Sequence, residues 1–143
     1  MITRSDFDAL ASQGFNRIPL VAQALADLDT PLSLYLKLTQ GKPLSFLLES
    51  VVGGERFGRY SFVGLPARTL VRSTGRHIEV VTDGAVVETH ESNPLDFIEA
   101  YQARFKAAVP QGLPRFCGGL AGYFGYDTVR HIEPRLATTH KPG

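Results

Sequence analysis

Apolar and polar residues recur with a helical period in three parts of the chain. Each part begins behind a residue that can cap a helix, and two of them place proline at the first helical position. The predicted helices cover residues 6–13 behind Ser5, 31–38 behind Thr30 and 94–107 behind Asn93. In the last helix, the residues at helical spacing predict the side that faces a core. They are Leu95, Ile98, Tyr101 and Phe105.

Shorter apolar runs predict strands. They cover residues 45–51, 60–63, 69–73 and a glycine-rich stretch at 116–129. A hairpin is predicted over residues 77–90, because Asp83-Gly84 is a favoured two-residue turn. It would place Ile78, Val80 and Val87 on one apolar face. The segment 18–28 fits either a helix or an extended chain. The mixed order predicts an α+β fold with a largely antiparallel sheet and flanking helices.

The composition is typical of a globular domain. Of the 143 residues, 43% are hydrophobic and 20% are charged, with a net charge of +1. Since the basic residues form no block, we expect no nucleic-acid partner. Membrane helices need about 20 apolar residues, and no run approaches that length, so we expect no membrane partner. Cys117 is the single cysteine, which fits a reducing, cytoplasmic location, and we expect its side chain to be buried.

Few residues could carry chemistry. His77 and His90 would face each other across the hairpin, but two ligands without a third are weak evidence for a metal. The glycines in 118–125 fit neither a P-loop nor a dinucleotide fingerprint, and predict close packing of backbone within a sheet. The arginines between positions 56 and 76 predict a solvated sheet surface with ion pairs, although contact with an anionic substrate or a partner stays open. No nucleophile with a base is indicated.

Several motifs occur in the order of one enzyme family. They are Arg17-Ile18-Pro19-Leu20, Asp29-Thr30-Pro31-Leu32-Ser33, Leu47-Leu48-Glu49-Ser50, GGERFGRYSFVG at 53–64 and GGLAGYFGYD at 118–127. On these motifs, from about Gly14 to Asp127, the chain resembles the N-terminal region of anthranilate synthase component I, a family of chorismate-using enzymes. The resemblance also favours an extended chain at 18–28.

The resemblance implies a parent protein several times longer than residues 1–143. In that family the enzyme converts chorismate to anthranilate with Mg²⁺, in the first step of tryptophan biosynthesis. Ammonia comes from solution or from a glutamine amidotransferase subunit, component II. The family's catalytic and metal-binding groups belong to its C-terminal region. We therefore expect no catalytic residue, no metal ligand and no bound Mg²⁺ in this chain.

The resemblance further implies that Leu48, Glu49 and Ser50 line a pocket for L-tryptophan, the feedback inhibitor. An amino-acid ammonium needs an anion or a hydroxyl nearby, and its carboxylate needs donors, which Glu49 and Ser50 can supply. Tyr60 is a further candidate for the pocket wall. The opposite wall would lie outside this sequence, so we expect weak tryptophan binding or none. The residues alone also allow a solvent-facing Glu49, a backbone-bonded Ser50 and a core Tyr60.

Three other functions stay open. Component I of 4-amino-4-deoxychorismate synthase shares the architecture, although the Glu49-Ser50 pair and the 53–64 motif favour the anthranilate enzyme. A stand-alone amino-acid-binding regulatory module is a second possibility, which micromolar tryptophan binding by this chain would support. An interaction domain that docks the amidotransferase is the third, and co-elution with that subunit would support it.

Overall fold

The computed structural model of the chain describes residues 2–49, 60–109, 111–113 and 116–137. These residues include four α-helices: α1 (Arg4–Ser12), α2 (Pro31–Thr39), α3 (Pro94–Ala103) and α4 (Pro134–Ala137). The same described ranges include five strands: β1 (Phe46–Glu49), β2 (Ser61–Gly64), β3 (Thr69–Thr74), β4 (His77–Thr82) and β5 (Ala85–Glu91). Residues Tyr126–His131 form a 3₁₀ helix.

The strands form two small antiparallel sheets, which confirms the predicted α+β class. One sheet pairs β1 with β2, and the other has the order β3-β4-β5. The chain divides into two compact units. The first unit takes its described residues from Met1–Gln23, Gly75–His77 and Glu91–Gly143, and the second takes them from Ala24–Thr74 and Ile78–His90. The described helices include none that is long and apolar enough to cross a membrane.

In the first unit, α1 begins two residues earlier than the sequence predicts. Its cap is Thr3, not Ser5. The Thr3 hydroxyl accepts a hydrogen bond from the Asp6 amide at 3.1 Å, and the Asp6 carboxylate accepts one from the Thr3 amide at 3.0 Å. Because the two residues satisfy each other's amides, this reciprocal arrangement fixes the start of the helix.

Helix α3 begins at Pro94 behind Asn93, as predicted, but ends at Ala103 instead of continuing to 107. The Asn16 amide group donates to the Arg104 carbonyl at 2.7 Å, and its oxygen accepts from the Lys106 amide at 2.7 Å. These bonds occupy backbone groups that a longer helix would use, so α3 stops. The end of α3 therefore depends on a residue about 90 positions away, which helical periodicity cannot reveal.

The buried side of α3 differs partly from the predicted stripe. Tyr101 is buried as predicted, but Phe97, which the prediction omits, is buried as well. The two rings stack with their centroids 5.8 Å apart, and Phe105 meets Tyr101 edge-on at 5.3 Å. Leu95 and Ile98 are only half-buried. An aromatic cluster, and not an aliphatic stripe, therefore anchors the helix.

In the second unit, the hairpin predicted at Asp83-Gly84 is confirmed. The φ angles of these residues are 51° and 84°, as a two-residue turn with both central residues left-handed requires. Ile78 and Val80 of β4 are buried, but Val87 of β5 is 56% exposed, so the predicted apolar face is wrong at that position. The reason is position in the sheet: β4 is central, whereas β5 is an edge strand.

The predicted glycine-rich strand at 116–129 is wrong. Residues 116–125 contain neither helix nor strand, and residues 126–129 lie in the 3₁₀ helix. Gly118 and Gly119 have φ angles of 143° and 145°, which strand residues do not adopt. Cys117, expected to be buried, is exposed, and so are the tyrosines at 123 and 126. Segment 18–28 contains neither helix nor strand and has a turn at 27–28, so the helical alternative is wrong.

Candidate functional site

Helix α2 leads into the segment that carries the predicted site residues. Thr30 caps it as predicted and shares a reciprocal pair of hydrogen bonds with Ser33. Pro31 occupies the first turn, where its missing N–H costs nothing. The Lys37 ammonium lies 2.6 Å from the Asp29 carboxylate, across the first turns of the helix. These local interactions fix where α2 begins.

Helix α2 packs against both β1 and β2. The chain reverses after α2 through Gln40 and Gly41, whose φ angles are 53° and 70°. The Tyr35 and Ser45 hydroxyls are hydrogen-bonded at 3.1 Å. This bond connects α2 to the residue that precedes β1. The position of β1 is thus set by its connection to α2.

The register of β1 with β2 decides which predicted site residues share a face. Leu48 lies opposite Phe62, and Glu49 lies opposite Ser61. Since opposite residues share a face and successive residues alternate, Leu48 and Phe62 are on one face and Glu49 is on the other. The rings of Tyr60 and Phe62 have centroids 6.4 Å apart. The structure therefore brings Leu48 and Tyr60 together around Phe62 and separates both from Glu49.

Gly64, the last residue of β2, allows the strand to pair closely with the first residue of β1, Phe46. It lies opposite Phe46, and a Cβ atom at position 64 would overlap the Phe46 ring. Strand glycines commonly mark such close approaches. The ring can therefore lie across β2 only because position 64 lacks a side chain.

The predicted site residues lie at the solvent-facing end of this strand pair. Leu48 is 53% exposed and Tyr60 is 54% exposed, so the alternative of a core Tyr60 is wrong. Glu49 is exposed, and its carboxylate makes no hydrogen bond or ion pair with any residue that the structure describes. Ser50 lies outside the described residues, as do Arg56 and Arg59. Sequence reasoning missed Phe62, which period-two counting from Tyr60 could have found.

This arrangement suits non-covalent binding of a small molecule with an apolar part. Leu48, Tyr60 and Phe62 give an apolar and aromatic face, and the Glu49 carboxylate is close in sequence but on the reverse side. Among the described residues, no group of three or more His, Cys, Asp or Glu side chains could hold a metal ion. The described part of the strand pair thus has an exposed apolar and aromatic face and no cluster of metal ligands.

The two hairpin histidines each contact a glutamate. His77 Nδ1 lies 2.5 Å from Glu91, and His90 Nε2 lies 3.0 Å from Glu88. Each ring thus has a carboxylate partner of its own. The interpretation of the histidines as surface residues is therefore favoured over a metal site.

Two of the three described arginines of the basic interval, Arg68 and Arg72, form ion pairs, as predicted for a solvated sheet. Arg68 contacts Asp83 through two hydrogen bonds of 2.9 and 2.5 Å, and Arg72 lies 2.6 Å from Glu79. The hydrogen bond from Arg68 lowers the pKa of Asp83 below its ordinary value of 3.8. These two arginines neutralise carboxylates within the sheet.

A separate open cleft of about 800 Å³ lies within the first unit. Its lining is mainly apolar and includes Leu10, Phe15, Pro19 and Leu113. The Asp6 carboxylate at its edge is committed to the cap of α1, and the hydrogen bonds from Thr3 lower its pKa. None of Leu48, Glu49 and Tyr60 lines this cleft, so it is distinct from the predicted site.

The described part of the chain is thus an α+β structure with an exposed apolar and aromatic strand face. Over nearly its whole length, the chain is similar to proteins named anthranilate synthase component 1. The protein of Neisseria meningitidis serogroup B is 56% identical over 144 residues, covering 99% of this chain and 29% of its own length. The proteins of Pseudomonas putida and Pseudomonas aeruginosa are 54% and 51% identical over 142 residues, with the same coverage.

The chain is therefore homologous to the N-terminal part of anthranilate synthase component 1, and the resemblance drawn from the motifs is confirmed. It spans less than a third of the length of the curated relatives that it matches. No family model matches the chain. No solved structure matches it either.

Proposed function

We propose that this chain is the N-terminal part of the large subunit of an anthranilate synthase. The complete enzyme would be a lyase that forms anthranilate from chorismate in tryptophan biosynthesis. The observation that carries this proposal is 51–56% identity across 99% of the chain to proteins of that name. We assign no catalytic residue to the chain, because its described residues contain no candidate set for the reaction.

The chain contributes one wall of an L-tryptophan site that inhibits the enzyme. Two features of the strand pair support this assignment: Leu48 and Tyr60 are both exposed and lie beside Phe62, whereas Glu49 is on the opposite face. An indole buries about 150–250 Å², which at roughly 25 cal/mol/Å² gives about 4–6 kcal/mol before association costs. One wall covers only part of that surface, so the chain alone should bind tryptophan weakly or not at all.

Mg²⁺ and the amidotransferase belong to the complete enzyme. The described residues do not fit a metal ion, since they bring no three suitable ligands together, and we derive no step through Mg²⁺. Component 1 in the relatives' names implies a second component, and we propose that a glutamine amidotransferase fills that role. No described residue is assigned to its interface.

The test uses the full-length subunit and measures anthranilate formation by its fluorescence. Formation of anthranilate from chorismate and ammonia supports the assignment, whereas formation of 4-amino-4-deoxychorismate would replace it with the related enzyme. Tryptophan is then titrated against wild type, Ser50→Ala, Leu48→Ala and the control Leu47→Ala, whose side chain lies on the other face of β1.

We expect Ser50→Ala and Leu48→Ala to raise the half-inhibitory tryptophan concentration by about tenfold, the effect of losing about 1.4 kcal/mol of binding. Leu47→Ala should leave it within about twofold, since its side chain faces away from the proposed wall. Each value is compared with the turnover of the same variant without tryptophan. If both test variants remain as sensitive as wild type, the tryptophan wall lies elsewhere.

A further inference from the structure

We propose that Leu44 is a positioning residue for the tryptophan wall, and that its strained backbone sets how strongly tryptophan inhibits the enzyme. Leu44 lies in the connection between α2 and β1, two residues before the strand begins. This inference rests on the proposed function, because it takes the exposed end of β1 to be the wall. The wall is in its binding position only while Leu44 keeps a left-handed backbone, which is unfavourable for leucine.

Leu44 has a backbone conformation that leucine rarely adopts. Its φ angle is 59°, and a bulky residue with a positive φ angle is an outlier. Among the described residues, Gln40 and Asp83 are the other non-glycine residues with positive φ. Gln40 caps the C-terminal end of α2, where a left-handed residue is common, and Asp83 belongs to the hairpin turn, which requires it. Leu44 neither caps a helix nor joins the two strands of a hairpin, so neither of these explanations applies to it.

Hydrogen bonds at Leu44 and at the next residue hold this conformation. The Leu44 carbonyl accepts a hydrogen bond from the Ala67 amide at 2.9 Å. The Ser45 hydroxyl donates to the Lys42 carbonyl at 2.9 Å and is hydrogen-bonded to the Tyr35 hydroxyl at 3.1 Å. Because the Leu44 side chain is 49% exposed, its burial offsets only part of the strain. The contacts that place β1 therefore impose the strain, as is typical beside binding sites and switches.

A second unfavourable group lies at the start of the same connection. Thr39, the last residue of α2, is completely buried, and its hydroxyl has no hydrogen-bond partner in the described part of the chain. A buried hydroxyl without a partner is destabilising. Both unfavourable features are present in the conformation that exposes Leu48 and Tyr60. A conformation in which Leu44 leaves the left-handed region relieves the strain and competes with the binding position of the wall.

This competition gives the strain at Leu44 a predictable effect on inhibition. The apparent affinity for a ligand falls in proportion to the fraction of molecules in the binding-competent state. Relieving the strain should therefore strengthen inhibition, and increasing it should weaken inhibition. Glycine adopts a positive φ angle without a steric penalty, whereas β-branched valine is poorly suited to it. Both residues are smaller than leucine, so a loss of side-chain contacts would change inhibition in the same direction in both variants, and backbone strain would not.

The test compares Leu44→Gly and Leu44→Val in the full-length subunit. L-Tryptophan is titrated during ammonia-dependent anthranilate formation, and kcat and KM for chorismate are measured without tryptophan. We expect the half-inhibitory tryptophan concentration to fall about fivefold in Leu44→Gly and to rise about fivefold in Leu44→Val, with kcat and KM unchanged. The controls are Leu65→Gly and Leu65→Val. Leu65 is an exposed leucine directly after β2 whose φ angle is not positive, so these replacements should leave inhibition as in wild type.

Urea denaturation of the same variants separates this role from a purely structural one. If the unfolding midpoint changes while the response to tryptophan stays as in wild type, Leu44 only stabilises the fold and the inference is overturned. Shifts of the same sign in both Leu44 variants also overturn it. If Leu44→Val does not fold, Leu44→Gly decides: stronger inhibition supports the inference, and unchanged or weaker inhibition overturns it. A wild-type subunit that tryptophan does not inhibit would remove the proposed function itself, whereas an inhibited wild type with unresponsive variants would remove this inference alone.

Discussion

Gly64 is the residue whose replacement should disturb the strand pair most directly. A methyl group there would overlap the Phe46 ring, and overpacked sites typically lose about 1–3 kcal/mol. The φ angle of Gly64 is not among the positive values, so steric overlap alone opposes the change. We expect Gly64→Ala to lower the free energy of unfolding by about that amount, measured by urea denaturation followed by circular dichroism.

The control for Gly64→Ala removes the ring as well. In Phe46→Leu with Gly64→Ala, the smaller side chain leaves room for the methyl group, so the double variant should lose less stability than the two single losses combined. Strict additivity of the two changes would contradict the overlap.

Asp83 should titrate below its ordinary value of 3.8. The hydrogen bond from Arg68 lowers the pKa of this carboxyl in the folded chain. A group whose folded pKa is depressed stabilises the fold above its unfolded pKa, and loses that contribution as the pH falls through the folded pKa. We therefore expect part of the stability to disappear in acid below about pH 4, with the Asp83 titration followed directly by NMR.

Arg68→Gln is the matched control for this titration. It removes the cation and keeps a side chain of similar length, so the Asp83 pKa should return toward 3.8 and the acid loss of stability should shrink. An Asp83 pKa that is the same with and without Arg68 would show that the ion pair is not the cause.

At the level of whole elements, the start of α2 depends on the capping box that Thr30 and Ser33 form. Thr30 accepts a hydrogen bond from the Ser33 amide at 3.1 Å. Removing a threonine cap typically costs about 1 kcal/mol. Thr30→Ala should lower the unfolding free energy by about that amount in a urea denaturation, whereas Thr30→Ser, which keeps the hydroxyl, should lose little. Equal losses in both variants would argue against the cap.

Where an element depends on neighbours in sequence, sequence reasoning predicts it well. The starts of α2 and α3 and the Asp83-Gly84 turn are confirmed, because caps, prolines and turn residues act within a few positions. The end of α3 is wrong because Asn16, far away in sequence, supplies the competing hydrogen bonds. The glycine-rich stretch is wrong because Gly118 and Gly119 take φ angles that composition does not reveal.

The candidate site was only partly predictable for the same reason. The motif at 47–50 and Tyr60 locate a strand end, and the structure confirms paired strands there. Which residues share a face depends on the register between β1 and β2, which no local pattern fixes. Strand alternation alone separates Glu49 from Leu48, whereas the register decides that Phe62 lies opposite Leu48.

At the scale of the whole molecule, exposed leucines have a consequence for the chain in isolation. Leu32 and Leu36 of α2 are 55% and 56% exposed and should promote association with other copies, because burying apolar surface is favourable. We expect the weight-average mass of the 143-residue chain in sedimentation to rise with concentration. The double variant Leu32→Glu with Leu36→Glu should suppress that rise.

The control double variant, Ser5→Glu with Gln102→Glu, adds the same charge at exposed helical positions and should leave association unchanged. If both double variants suppress association equally, net charge controls association, and Leu32 and Leu36 do not. If neither double variant reduces association, the surface responsible for self-association lies elsewhere in the chain.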